Sequence, residues 1–111
     1  MKNKLVSIII NCFNGEKYLS KTLQSILNQK YQNFEVIFID NCSTDNSVKI
    51  FKKIKDKRFR FFKTKKKLNL YASRNFALNK TKGKFVAFLD TDDWWENRYL
   101  SSRKKFFLSS N

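Results

Sequence analysis

Four short apolar segments alternate with longer segments of helical periodicity along this chain. The apolar segments are rich in β-branched and aromatic residues, as β-strands usually are, and lie at 5–10, 34–40, 58–62 and 84–90. The first, second and fourth are almost continuously apolar, which is typical of strands covered on both faces. The third, RFRFF, alternates between basic and aromatic residues. The pattern therefore predicts four strands, with the third nearer an edge of the sheet.

Between these segments, apolar residues recur at intervals of three to four positions, which predicts amphipathic helices. The predicted helices lie at 16–29, 45–56, 69–80 and 96–110. Asn14-Gly15 and Ser43-Thr44-Asp45 supply start signals for the first two, and Gly83 is expected to adopt a positive φ before the last strand. Strands that alternate with helices indicate an α/β fold with a mostly parallel sheet and helices on both faces.

Polar segments follow three of the predicted strands. They are NCFN at 11–14, DNCSTD at 40–45 and DTDD at 90–93. In open parallel sheets, ligands bind beyond the carboxyl ends of the strands. We therefore expect these three loops to converge on one edge of the sheet.

The acidic segment at 90–93 has two interpretations. Asp90 and Asp92 flank a single residue, so both carboxylates are expected on the same side of an extended strand end. Two neighbouring carboxylates require a counter-ion, and Mg²⁺ or Mn²⁺ held by one or two carboxylates commonly completes its shell with phosphate oxygens. Alternatively, Asp92 or Asp93 starts a helix at Trp94, and the other acids are solvated.

Composition narrows the classes of function. The 111 residues are 41% hydrophobic, which suits one domain, or part of one, with a real core. There are 24 Lys and Arg against 9 Asp and Glu, a formal charge of +15, which favours anionic partners. Most of the excess is lysine spread over the whole chain, however, which is equally typical of a solvated surface in a lysine-rich proteome. The charge alone therefore does not identify a partner.

Several kinds of site are excluded or disfavoured. The chain has no histidine and two cysteines without metal-ligand spacing, which removes most zinc sites and every histidine-based triad. It has neither GxGxxG nor GxxxxGK, which disfavours dinucleotide and P-loop nucleotide binding. A bound diphosphate would need basic side chains, and Arg74 is the leading candidate, although it also suits a surface ion pair. No apolar run approaches the roughly 18–20 residues of a membrane span, so a cytoplasmic location is expected.

Two long segments of the chain resemble the family 2 glycosyltransferases with a GT-A fold. They are VSIIINCFNGEKYLSKTLQSILNQKYQNFEVIFIDNCSTDNS (6–47) and ASRNFALNKTKGKFVAFLDTDDWW (72–95), in order and with the expected spacing. The resemblance implies a Rossmann-like sheet, with residues 1–111 forming the N-terminal nucleotide-sugar-binding portion and ending after the DxD strand and the following helix. It also implies that the acceptor-binding half and its general base are absent, so we expect no catalytic residue within this chain.

The same resemblance implies a set of residues that bind the nucleotide-sugar. Asn11 would contact it through its backbone, and Phe13 would stack on the base. Asn41 stands where relatives have an acid that contacts the base edge, and its amide can still accept a hydrogen bond from a pyrimidine N–H. Arg74 would lie near the nucleotide. The full implied set is Asn11, Phe13, Asn14, Glu16, Asp40, Asn41, Arg74, Asp90 and Asp92.

The DTDD segment resembles the DxD motif of the family. The resemblance directs Asp90 toward the ribose and places Asp92 on a metal ion, Mn²⁺ or Mg²⁺. Asp93 would start a helix or support the metal ligand, and Trp95 matches the aromatic residue that usually follows the motif.

The function implied is metal-dependent binding of a nucleotide-diphosphate sugar, with a UDP-sugar as the expected donor. Inverting transfer to the hydroxyl of a glycan or lipid-linked acceptor would follow, in cell-envelope polysaccharide synthesis in the cytoplasm or on the cytoplasmic face of the membrane.

Two alternative functions remain. Basic and aromatic residues interleave at 57–67, as in non-specific nucleic-acid binding, although no sequence-specific motif is present. The lysines at 63–67 and the last helix would also suit peripheral binding to an anionic membrane.

Overall fold

The computed structural model describes residues 4–103, and its elements follow the predicted alternation of strands and helices. The strands are β1 (Val6–Cys12), β2 (Phe34–Asp40), β3 (Phe59–Lys63) and β4 (Phe85–Phe88). The helices are α1 (Glu16–Leu27), α2 (Ser47–Lys52), α3 (Leu70–Leu78) and α4 (Tyr99–Ser102). All the strand pairs are parallel, in the order β3-β2-β1-β4. The predicted α/β class is confirmed, and so is the position of β3 at an edge.

Alternate residues of the central strands pack against helices on opposite faces of the sheet. Ile8 and Ile10 belong to a large core that also contains apolar residues of α1, α2 and α4. Ile9, between them, belongs to a smaller core with Ala77 of α3. Because β1 and β2 are covered on both faces, their side chains are apolar almost throughout. The helices therefore lie on both faces, as predicted.

The expectation that the fourth strand is covered on both faces is wrong. Phe85 and Ala87 pack against the large core, but Val86 and Phe88 are 40% and 43% exposed. β4 is an edge strand, and within residues 4–103 its second face is left largely uncovered. The apolar side chains of β1 and β2 are buried on both faces, whereas those of β4 pack against a core on one face only.

The first and third helices agree with their predicted limits to within two residues, and the second and fourth differ more. The second begins at Ser47 rather than Asp45, because the Asp45 carboxylate accepts the backbone N–H of Ser47. It ends at Lys52, where the N–H groups of Lys53 and Ile54 bond carbonyls only three residues back. The last helix begins at Tyr99 rather than residue 96, and its predicted continuation over 104–110 lies outside the described residues.

Gly83 is required for space rather than for its backbone angle. No glycine in residues 4–103 has a positive φ, so that expectation is wrong. A Cβ on Gly83 would lie 2.6 Å from Ser7 Oγ and 2.7 Å from the Leu5 carbonyl oxygen, well inside normal contact. The turn therefore passes so close to β1 that no side chain fits. Within the same residues, no helix has the length and apolar character needed to cross a membrane.

Candidate functional site

The loops after β1 and β2 are joined by a hydrogen-bond network centred on Asn14. Its side-chain Oδ1 accepts the backbone N–H of Thr44 at 2.7 Å and that of Asp45 at 3.2 Å, and its own N–H donates to Ser43 Oγ at 2.9 Å. Asn14 has φ 51°, a left-handed conformation that asparagine tolerates better than most residues. This conformation directs the amide across to the neighbouring loop. The two loops therefore form one unit at the carboxyl edge of the sheet.

Glu16 and Asp45 extend this network away from the strand ends. The Glu16 N–H donates to Asp45 Oδ2 at 3.1 Å, and Glu16 Oε1 accepts the Asn46 N–H at 2.9 Å. Desolvation raises the pKa of Asp45, but hydrogen bonds from Ser47 and from the Glu16 backbone outweigh it and hold that pKa below its usual value. Glu16 thus lines a separate groove between α1 and α2, with Lys17, Asn46, Lys49, Ile50 and Lys53.

The acidic segment forms a turn, and the expectation of an extended strand end is wrong. The Asp93 N–H bonds the Asp90 carbonyl at 3.1 Å, which closes the turn. Residues 93–96 are not helical, so no helix starts at Trp94 and the capping role of Asp92 or Asp93 is also wrong. The Asp93 carboxylate instead accepts the N–H of Trp94. Within residues 4–103, the carboxylates of Asp90 and Asp92 are exposed and receive no hydrogen bond.

A side chain of α1 holds this turn in place through hydrogen bonds to its backbone. The hydroxyl of Thr22, which is fully buried, lies 3.0 Å from the Thr91 carbonyl oxygen and 2.6 Å from that of Asp93. Gly15 allows the close approach, since a Cβ there would lie 2.7 Å from the Thr91 side chain. The hydroxyl also lies 3.2 Å from the Tyr18 carbonyl oxygen of its own helix, so its single proton is shared among three carbonyls, two of which flank Asp92.

Two more polar residues of α1 and its C-terminal end bind the segment that follows the turn. Ser25 Oγ accepts the Trp95 N–H at 3.2 Å, and Gln29 donates to the Glu96 carbonyl and accepts the Leu100 N–H. These positioning residues were not found from the sequence. The available signal was their spacing, because Thr22 and Gln29 are polar but fall on the same helix face as the apolar stripe of α1.

Four of the predicted site residues line a single open cleft of about 440 Å³. Its walls come from the loop after β1, the first turn of α1 and the acidic turn after β4. The predicted site residues that line the cleft are Asn11, Asn14, Asp90 and Asp92. The other lining residues are Gly15, Lys17, Tyr18 and Thr91. The convergence expected of the three loops is thus observed, because the loops after β1 and β4 line the cleft and the loop after β2 is bonded to the loop after β1.

Phe13 and Arg74 lie at the same edge, each against another side chain. The Phe13 ring is 47% exposed, and the Lys67 ammonium lies 3.2 Å from its centroid. The Arg74 guanidinium lies over the ring of Phe88, 4.9 Å from its centroid, and its Nε is buried without a hydrogen-bond partner within residues 4–103. Asn11 accepts the hydroxyl of Ser73, the residue before Arg74, at 2.6 Å, which ties α3 to the floor of the cleft.

Asp40 and Asn41, which the resemblance includes in the nucleotide-sugar-binding set, are both buried. Asp40 is 1% exposed, and neither carboxylate oxygen has a partner within residues 4–103. It lies beside Cys12, whose pKa is raised mainly by burial and slightly by this carboxylate. The Asn41 amide is also buried, and it bonds the backbone of Leu68. Neither side chain lines the cleft.

A known protein family and individual proteins are similar to this chain over most of its length. The sequence model described as Glycosyl transferase family 2 matches residues 7–109. The chain belongs to this family. An uncharacterized family relative, a glycosyltransferase of Haemophilus influenzae, is 42% identical over 100% of this chain and 45% of its own length. The Escherichia coli UDP-Glc:alpha-D-GlcNAc-diphosphoundecaprenol beta-1,3-glucosyltransferase WfaP is 38% identical over 97% of this chain and 46% of its own.

The fold is the GT-A fold. The crystal structure of Staphylococcus aureus TarS 1-349 in complex with UDP has a TM-score of 0.87 and 30% identity to this chain, covering 94% of this chain and 32% of the TarS 1-349 chain. The chain thus spans less than half the length of the two relatives and about a third of TarS 1-349.

Proposed function

We propose that the cleft binds the nucleoside diphosphate of a sugar donor, with a UDP-sugar as the expected ligand. The observation that carries this proposal is the acidic turn. Asp90 and Asp92 present carboxylates without partners in residues 4–103 to the same cleft that Asn11 and Asn14 line. The structure of TarS with UDP supports the choice of nucleotide, because its fold covers 94% of this chain.

The donor set of the cleft suits a divalent cation that binds together with phosphate. Within residues 4–103, no group of three or more His, Cys, Asp or Glu side chains could hold a metal alone. Asp92, with or without Asp90, offers one or two hard oxygen ligands, and Mg²⁺ or Mn²⁺ is commonly held by that number, with phosphate oxygens and water filling the other positions. When bound, such an ion would neutralise negative charge on the departing diphosphate.

The remaining residues of the edge suit the other parts of the donor. Phe13 exposes an aromatic face on which a base can stack, and Arg74 and Lys17 add positive charge near the diphosphate. Asp90 would hydrogen-bond the ribose hydroxyls, and Asn11 and Asn14 would contribute amide and backbone groups.

The reaction proposed for this donor site is inverting transfer of the sugar to an acceptor hydroxyl. The attack needs a general base, which we assign to no residue of this chain. The name of the relative WfaP specifies a diphosphoundecaprenol-linked acceptor. A glycan or lipid-linked acceptor at the cytoplasmic face of the membrane, in envelope polysaccharide synthesis, is therefore proposed here.

Calorimetry with UDP, GDP, CDP and ADP, each with and without Mn²⁺, tests the proposal. We expect UDP to bind about a hundredfold more tightly with Mn²⁺, since the cation links Asp92 to the diphosphate. Asp92→Ala should remove this metal dependence.

Asp93→Ala is the matched control, because Asp93 is also an exposed acid of the turn but does not line the cleft. It should keep the metal dependence of UDP binding. Binding that is absent, or that does not depend on Mn²⁺ in the unmodified chain, would contradict the proposal.

Peripheral membrane binding is a second proposal, compatible with the first. Lys63, Lys65 and Lys66 are exposed, and no ion pair within residues 4–103 involves them. Lysine near an anionic membrane contributes about 1 kcal/mol of attraction per residue. Sedimentation with acidic liposomes but not with neutral ones is expected; equal sedimentation with both would contradict it. Non-specific nucleic-acid binding stays a prediction that the structure does not test.

A further inference from the structure

The buried amide of Asn41 forms a reciprocal pair of hydrogen bonds with one residue of a neighbouring loop. Its Nδ2 donates to the Leu68 carbonyl at 2.8 Å, and its Oδ1 accepts the Leu68 N–H at 2.8 Å. Thr64 Oγ1 donates to the same Oδ1 at 3.2 Å. Since a carbonyl needs a donor and an N–H needs an acceptor, the pair determines the orientation of the amide. Asn41 therefore holds both ends of the segment 64–68, named here the β3–α3 loop.

An aspartate at this position could not make the same pair. A carboxylate has no donor, so one of its oxygens would face the Leu68 carbonyl oxygen without an intervening proton. The family resemblance places a base-contacting acid at position 41, yet here the loop engages the amide oxygen twice and one of the two amide N–H groups. Asn41 thus has a reason to be asparagine that does not involve a ligand.

The β3–α3 loop carries Lys67 onto the ring of Phe13, where base stacking is proposed. The ammonium lies 3.2 Å from the ring centroid, and the ring is 47% exposed. A cation–π contact at an exposed site contributes about 0.5–1 kcal/mol, so a stacking base can replace it at small cost. A displaced ammonium can only donate hydrogen bonds, so it matches the acceptors of a base, which are carbonyl oxygens and unprotonated ring nitrogens, and not its amino groups.

Resting on the proposed function, we propose that this chain recognises the nucleobase through the β3–α3 loop. Asn41 is a positioning residue that fixes the loop. Lys67 gives up the face of Phe13 to the base and donates to a carbonyl oxygen of the base, as uracil offers. Specificity for the base therefore comes from residue 67 rather than from the side chain at residue 41.

Asn41→Asp separates this proposal from direct contact by residue 41, because the two predict opposite changes. If residue 41 contacted the base, the acid found in relatives would keep or strengthen binding of UDP. We expect UDP affinity to fall about tenfold near neutral pH, from the loss of one hydrogen bond and the repulsion of two oxygens. At a pH low enough to protonate the introduced carboxylate, its O–H can donate to Leu68, so affinity relative to the unmodified chain should recover; Asn41→Ala should show no recovery.

Circular dichroism and Mn²⁺ binding verify that each variant keeps its fold and its acidic turn. UDP affinity that is unchanged or tighter in Asn41→Asp overturns the inference while leaving the proposed function standing. Failure of the unmodified chain to bind any nucleoside diphosphate overturns the proposed function, and this inference with it.

Lys67→Met tests the specificity itself, with Lys63→Met as the matched control. Lys63 is also an exposed lysine, at the end of β3 and outside the β3–α3 loop. Cytosine carries an amino group where uracil carries one of its carbonyl oxygens, so we expect Lys67→Met to lower the ratio of UDP to CDP affinity about fivefold, whereas Lys63→Met should leave this ratio unchanged. Equal effects of the two variants on the ratio, or no effect of Lys67→Met, would show that Lys67 does not read the base and would overturn the inference.

Discussion

At the amino ends of the strands, Glu35 is 6% exposed, and its carboxylate accepts hydrogen bonds from Ser7 Oγ, the Lys82 N–H and Arg60 Nη1. At the carboxyl ends, the carboxylates of Asp90 and Asp92 are exposed and receive no hydrogen bond from residues 4–103. Burial raises the pKa of Glu35, but these partners outweigh it and lower that pKa. The two ends of one sheet therefore use acidic residues for different purposes.

The difference separates a structural carboxylate from carboxylates available to a ligand. Glu35 joins three strands and the turn before β4, so its charge is neutralised within the protein. The acidic turn is held through its backbone by Thr22, and the carboxylate residues Asp90 and Asp92 line a cleft. A position that fixes carboxylates without neutralising them suits a cationic ligand, which is the basis of the proposed metal site.

Glu35→Ala should produce the largest loss of stability. It leaves the partly buried Arg60 without its ion pair and the Ser7 and Lys82 groups without an acceptor, so the free energy of unfolding should fall by about 3 kcal/mol. Urea denaturation measures it. Asp56→Ala, which breaks the more exposed pair with Arg58, should cost about 1 kcal/mol or less. Equal losses in the two variants would remove the special status of Glu35.

Thr22→Val tests whether the acidic turn at the carboxyl edge of the sheet is held through its backbone carbonyls by the Thr22 hydroxyl. Valine keeps the volume but removes the hydroxyl shared by the Thr91 and Asp93 carbonyls, so the free energy of unfolding should fall by about 1–2 kcal/mol. Thr22→Ser retains the hydroxyl and should retain more of the stability and of the Mn²⁺-dependent UDP affinity. If valine and serine lowered Mn²⁺-dependent binding equally, Thr22 would not position the turn.

The smallest expected effect is on the pH dependence of stability, part of which we assign to Glu35 at the amino ends of the strands. Because the folded-state pKa of Glu35 is lowered, the unfolded state binds its proton more readily, and the stabilisation is present above the ordinary glutamate pKa of about 4.3. It is lost as the pH falls through the lower folded value. Asp45 and Asp56 have lowered pKa values as well, so Glu35→Gln isolates the contribution of Glu35. An identical pH profile in that variant would contradict the assignment.

Much of the fold could be predicted because its signals are local. The apolar runs of β1 and β2 and the stripe of α1 reflect burial on defined faces, and the structure confirms them. The prediction that β4 is covered on both faces was wrong because an apolar run predicts a covered strand. Neither of its exposed residues, Val86 and Phe88, indicates an edge strand. The position of a strand in the sheet depends on contacts distant in sequence, which a run of residues does not contain.

The candidate site could be located but not detailed from the sequence. The rule that loops meet at the carboxyl edge placed Asn11, Asn14, Asp90 and Asp92 together, and they line one cleft. The role of Asn41 depends on Leu68, which is 27 positions away, and no local pattern reports it. The position of the acidic turn depends in the same way on Thr22, whose place on the apolar face of α1 indicates burial but not the segment that it binds.

Paramagnetic broadening by Mn²⁺ with UDP tests the central claim most directly. In ¹⁵N spectra of the chain, substoichiometric Mn²⁺ and UDP should broaden the amide signals of Asn14, Thr91 and Asp92 and leave those of Glu35 and Lys82 sharp. Asp92→Asn should abolish the broadening without loss of fold. Broadening centred on Glu35, or spread over the exposed lysines without involving the acidic turn, would contradict a cation-linked nucleotide site at the carboxyl edge of this sheet.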